Sequence, residues 1–173
     1  MPRLRLAIIA NIHCYRSPSD AAIQLQIQIK FANMKKILII QATFYKHISQ
    51  LLLQGATKKL DELKISYDIL DVPGALEIPA VIAMADEAKK YDGYIALGCV
   101  IRGETSHYDY VCSESARGLN HLAITKKLAI ANGILTVENE AQALVRANPE
   151  QKDKGGFCAN AVAVMMKIKE SFK

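Results

Sequence analysis

The chain has 173 residues, 51% of them hydrophobic and 23% charged, with a mean hydropathy of +0.09 and a formal net charge of +5. That fits one compact soluble domain long enough for a real core, and no apolar run approaches the roughly 20 residues needed to span a bilayer. The positive charge is partly terminal (Arg3, Arg5, Arg16 and Lys30 against Asp20), and the pairs Lys58-Lys59, Lys89-Lys90 and Lys126-Lys127 are scattered without interleaved aromatics, which argues against a nucleic-acid partner.

Residues 1–34 differ in texture from the rest. Residues 1–10 imitate a signal peptide, but the apolar run is short and 11–16 makes a poor cleavage region, so the cytoplasm is the expected location. SPSD at 17–20 is followed by the alternation IQLQIQI at 23–29, which has the period of an edge strand. Residues 1–34 are expected to be an extension, largely disordered or loosely packed: either an arm that packs on a neighbour or an upstream addition from a misplaced start codon.

From residue 35 onward strands and helices alternate. The run KKILII leads to a strand over 37–41, then a helix over about 48–64 with Ile48, Leu51, Leu52, Leu60 and Leu63 on one face. A strand over 66–72 ends at Pro73-Gly74, and a helix over about 78–90 follows. The run YIALGCVI at 94–101 reads as a fully buried strand by its length and β-branched content. A helix over about 108–127 carries Val111, Cys112, Ala116, Leu119 and Leu122, and a strand over 128–137 leads to a short helix near 140–146. A last helix over about 156–171 has Phe157, Ala161, Val164 and Ile168 on one face. Such alternation predicts a three-layer α/β sandwich around a mainly parallel sheet, in one domain over 35–173. The cysteines Cys14, Cys99, Cys112 and Cys158 show no CxxC and no Cys/His ligand spacing, so reduced core thiols are expected.

Chemistry-bearing residues gather after the carboxyl ends of strands, where open α/β sheets bind ligands. RGETSHYD at 102–109 comes first. Gly103 permits an unusual backbone turn, Thr105 or Ser106 can cap the next helix, and Asp109 adds charge to its first turn. His107, near the helix start, is either a proton-transfer group or an ordinary loop histidine. In VPGALEIP at 72–79 two prolines and a glycine fix the backbone, so its main-chain groups can face a planar heterocycle, or the segment is a plain strand-to-helix turn bearing Glu77. QATFYKH at 41–47 offers an aromatic pair for stacking or for capping the core. Arg146 suits bidentate phosphate binding, although a lone arginine is usually just solvated. No GxGxxG or GxxxxGK[ST] occurs, which leaves a dinucleotide or P-loop site unsupported.

Taken in order, Phe44, LLLQGA at 51–56, VPGALEIP at 72–79, the segment from Leu97 through RGETSHYD to Asp109, GILTVEN at 133–139 and DKGG at 153–156 closely resemble the lumazine synthase family. The resemblance implies a flavodoxin-like fold with a four-stranded, mainly parallel sheet that an N-terminal strand from a neighbouring subunit can extend. It further implies condensation of 5-amino-6-(D-ribitylamino)uracil with 3,4-dihydroxy-2-butanone 4-phosphate to 6,7-dimethyl-8-ribityllumazine, with release of phosphate and water and with no metal or cofactor.

Carried over residue by residue, it gives Phe44 to stacking on the pyrimidine and Ala75, Leu76 and Glu77 to pyrimidine and ribityl contacts. Cys99, Val100 and Ile101 line the same pocket, Glu104 and Thr105 form the phosphate turn, His107 moves protons, and Arg146 clamps the phosphate. Asn132 stands where many members carry an aromatic. The positions of Asn132 and Arg146 act on a neighbour's site in the family. Self-association is therefore implied, and NPEQKD at 148–153, in place of the glycine-rich turn of shell formers, favours a pentamer. Two other functions compete: a catalytically weak paralogue that binds flavin or lumazine or serves as a scaffold, and a flavodoxin-like electron carrier. The second lacks a phosphate loop after its first strand.

Overall fold

A computed structural model describes residues 35–173; the extension over 1–34, with its alternating segment, lies outside the described residues. Within them, β1 (Lys36–Ala42), α1 (Lys46–Leu63), β2 (Ser66–Val72), a 3-10 turn (Ala75–Glu77) and α2 (Ile78–Glu87) are followed by β3 (Gly93–Ile101), α3 (His107–Thr125), β4 (Ala129–Val137), α4 (Glu140–Ala147) and α5 (Lys154–Ser171). The four strands are all parallel, in the order β2-β1-β3-β4.

The apolar runs of β1 and β3 follow from burial on both faces. Ile37, Ile39, Ile95, Leu97 and Cys99 pack toward α1, α4 and α5. The intervening Leu38, Ile40, Ala42, Tyr94 and Ala96 pack toward Ile78 and Ile82 of α2 and Leu119 and Leu122 of α3. The outer strands are covered less. In β4 every second residue from Ala129 to Val137 is buried, whereas Asn132 and Thr136 on the other face are exposed. Along the β2 edge Ile69 and Leu70 are exposed.

Helix ends depart from periodicity where backbone chemistry intervenes. α1 begins two residues early because the Tyr45 carbonyl accepts from the amides of Ile48 and Ser49. The stretches that would have extended α2 and α3 stop short, with Lys89 at φ 50° and Lys127 at φ 54° turning the chain toward β3 and β4. α5 begins at Lys154 because the Asp153 side chain accepts from the Gly156 amide at 2.9 Å.

Of the four residues read as one face of α5, Ala161 packs partly against the core and the other three point outward. Cys158, Ala159, Val162, Ala163 and Met166 turn inward, while Phe157, Val164 and Ile168 stay exposed. Small residues let α5 approach α1 closely: a Cβ on Gly155 would lie 1.9 Å from the Leu52 carbonyl oxygen. Gly155→Ala is therefore expected to destabilise the fold toward the upper end of the ~1–3 kcal/mol typical of overpacking; an unchanged denaturation midpoint would show that the two helices part without cost.

Candidate functional site

Between β1 and β3 the strand order reverses direction, the switch point at which parallel α/β sheets open a crevice above their carboxyl ends. Hydrogen bonds hold the loops there. Ser49 Oγ donates to the Ala42 carbonyl, and the Thr43 amide and hydroxyl both donate to the Val72 carbonyl, at 2.9 and 3.2 Å. The loop leaving β1 is thus tied to the end of β2. Phe44, 76% exposed, meets Tyr45 edge-on at 5.0 Å between ring centroids. After Pro73 and the extended Gly74, the 3-10 turn buries Ala75 and leaves Leu76 exposed. The Glu77 carboxylate folds over Gly74, where a Cβ would come within 2.9 Å of Oε2.

A cleft of about 400 Å³ lies between these loops and the end of β3. Phe44, Tyr45 and the stretch from Pro73 to Glu77 form one side, and Cys99, Val100 and Ile101 form the floor. Gly103, Thr105, His107, Tyr108 and Val111 close the other end. Large apolar side chains left exposed at the mouth, Phe44 above all, gain by covering a ring. Burial pushes the Cys99 thiol up to about 12, so at neutral pH it is an uncharged wall rather than a thiolate nucleophile.

The loop into α3 carries the polar end. The Arg102 amide donates to the Val137 carbonyl at 3.0 Å, extending the β3–β4 ladder by one bond. Thr105 Oγ1 then accepts from the His107 amide at 3.3 Å. Ser106, at the capping position, makes no side-chain cap bond, so of the two capping candidates Thr105 is the one engaged. The expected glycine-specific turn at Gly103 is absent. No glycine among the described residues has a positive φ, and a Cβ on Gly103 would meet no protein atom within 4 Å. What its missing side chain leaves is open space in the cleft wall, beside a helix start whose amides suit an anion.

Nine of the residues singled out from sequence converge here: Phe44, Ala75, Leu76, Glu77, Cys99, Val100, Ile101, Thr105 and His107. Glu104 is exposed in the loop beside the cleft without lining it. Asn132 and Arg146 do not join them. Asn132 sits on β4 with Oδ1 accepting from the Ile134 amide at 3.0 Å, and Arg146 Nη1 donates to the Gln142 carbonyl of its own helix at 2.9 Å. Tyr108 and Val111 were missed as lining residues. Val111 lies one helical turn beyond His107, a spacing that puts both on one face and was legible in principle.

Fold and cleft together define a flavodoxin-like α/β protein with a cleft at its switch point, apolar along one side and closed at the other end by the loop into α3. A family model described as 6,7-dimethyl-8-ribityllumazine synthase matches residues 34–170, and the chain belongs to that family. Its relatives include the 6,7-dimethyl-8-ribityllumazine synthase of Bartonella tribocorum, 55% identical over 79% of this chain and 91% of the relative. That of Novosphingobium aromaticivorans is 53% identical over 79% of this chain and 98% of its own length. The enzyme named 6,7-dimethyl-8-ribityllumazine synthase 1 of Rhizobium meliloti is 53% identical over 78% and 91%.

Proposed function

We propose that this chain is a transferase of riboflavin biosynthesis that condenses 5-amino-6-(D-ribitylamino)uracil with 3,4-dihydroxy-2-butanone 4-phosphate, giving 6,7-dimethyl-8-ribityllumazine, phosphate and water. The observation that carries this reading is the convergence of the aromatic lip, the apolar slot and the Thr105–His107 turn on one cleft, in a member of this family. Phe44 stacks on the pyrimidine. Ala75, Leu76 and Glu77 hold the pyrimidine and ribityl chain over the floor of Cys99, Val100 and Ile101. Glu104 and Thr105 shape the phosphate turn, with the open space at Gly103 admitting the phosphate, and His107 moves protons during imine formation, phosphate loss and ring closure. Such a reaction depends chiefly on holding two substrates together, with an anion pocket and one proton shuttle.

Arg146 and Asn132 complete the site of an adjacent subunit. Their absence from the lining of their own cleft supports this, as do the exposed Phe157, Val164, Met165 and Ile168 on α5, apolar side chains suited to cover by another copy. The exposed β2 edge suits an added strand, and the alternation at 23–29 has the period to supply one from a neighbour. With proline in the turn at 148–153, a pentamer is the assembly expected, and sedimentation of megadalton particles would overturn it. Among the described residues no helix is long and apolar enough to cross a membrane, and the cytoplasm is the proposed location. The activity is tested by mixing the two substrates and following lumazine absorbance and fluorescence. Folded protein that forms no product would instead be a flavin- or lumazine-binding paralogue.

A further inference from the structure

We propose that Arg102 is a positioning residue that holds the first turn of α3, with His107 and Tyr108, against the cleft, and is not a ligand of the phosphate. The proposal rests on the function given above. Arg102 is the arginine nearest the phosphate turn, and its position invites the opposite role. Its guanidinium, however, is already committed to two carboxylates and an aromatic ring. Nε donates to Glu138 Oε2 at 2.9 Å, Nη2 donates to Asp109 Oδ1 at 3.2 Å, and Nη1 reaches Asp109 Oδ2 at 3.5 Å. Its Cζ lies 4.0 Å from the centroid of the Tyr108 ring, within the range of a cation–π contact.

Two consequences follow from that geometry. The first is electrostatic. One cation shared between two carboxylates has no net positive charge left to offer a phosphate, so a clamping cation is needed beyond Arg102. The second is mechanical. A single side chain joins the end of β3, the turn after β4 and the first turn of α3. Apart from the backbone bond from the Asp109 amide to the Ser106 carbonyl at 3.0 Å, that turn has few other ties, since Ser106 makes no cap bond and Thr105 contributes one long one. Tyr108 lines the cleft, and the guanidinium stacked on its ring restrains it together with the adjacent His107.

The side chains of Arg102, Asp109 and Glu138 are 40%, 63% and 57% exposed. Exposed ion pairs contribute little to stability, so the network should act on orientation far more than on folding. Lysine keeps the charge but loses both the planar fork and the stacking.

The test is steady-state kinetics of full-length Arg102→Lys and Arg102→Met against wild type, with thermal midpoints and a cycle pairing Arg102→Lys with Asp109→Asn. For both arginine variants we expect kcat to fall about 10-fold, because misplaced groups cost rate, with the KM for the phosphate substrate within about 2-fold and the midpoint nearly unchanged. In the cycle, the double variant should lose little more than Arg102→Lys alone. A KM for the phosphate substrate raised 10-fold at retained kcat would make Arg102 a phosphate ligand and overturn the proposal. So would a wild-type kcat in both variants, or a loss of kcat that tracks the unfolded fraction. Should Arg102→Met fail to fold, Glu138→Gln removes one anchor and leaves the cation. A reduced kcat at unchanged KM there supports the proposal, and a wild-type kcat refutes it. Wild-type protein that forms no lumazine from the two substrates would sink the function itself, whereas an active wild type with indifferent variants sinks only the role of Arg102.

Discussion

His107→Ala is expected to lower kcat about 100-fold while leaving product formation measurable and the KM for the pyrimidine nearly unchanged. General acid–base catalysis by a placed side chain contributes roughly 10²–10⁴-fold, and the lower end applies here for a structural reason. His107 is exposed at the rim of the cleft, so water can reach the proton-transfer position when the imidazole is removed. The larger share of the acceleration is expected to come from holding the two substrates side by side, where effective molarities reach about 10⁵ M or more. That share survives the substitution, because Phe44, Ala75, Leu76 and the floor of β3 remain in place. Activity below detection, in a variant that folds and binds the pyrimidine, would show that His107 does more than shuttle protons.

What was legible in the sequence divides along physical lines. β1 and β3 announce themselves because both faces are buried, which demands unbroken apolar runs. Their loops were legible because Pro73, Gly74, the aromatic pair Phe44-Tyr45 and His107 are conspicuous residue types at strand ends. Convergence of those loops on one cleft was not, because periodicity carries no information about which strand lies beside which; the order β2-β1-β3-β4 supplies that. Resemblance to a known family bridged the gap.

The inner face of α5 was misread for a different reason. Gly155, Gly156, Ala159 and Ala163 pack by being small, and small residues give almost no hydrophobic signal, whereas Phe157 and Ile168 give a strong one from the outer face. Gly103 was credited with a backbone conformation it does not adopt. A glycine that leaves room for a ligand and one that enables a turn look the same in sequence.

Arg146→Ala is expected to raise the KM for the phosphate substrate about 30- to 100-fold, the range given by losing ~2–3 kcal/mol of charged hydrogen bonding, with little change for the pyrimidine. An unchanged KM would count against the clamp. The same variant tests where the clamp acts. Within its own subunit the Arg146 guanidinium donates to the Gln142 carbonyl and does not line the cleft, so the site should be completed across an interface and an isolated monomer should be inactive. Hybrid rings separate the possibilities. In a ring built from head-to-tail contacts, each interface joins one subunit's cleft to the other's clamp. If Arg146→Ala and His107→Ala subunits are co-assembled at equal amounts, about a quarter of the interfaces pair an intact His107 with an intact Arg146, and the mixture should recover about that fraction of wild-type activity. If each cleft used its own Arg146, every subunit would carry one defect, and no mixture would exceed the activity of the two parents.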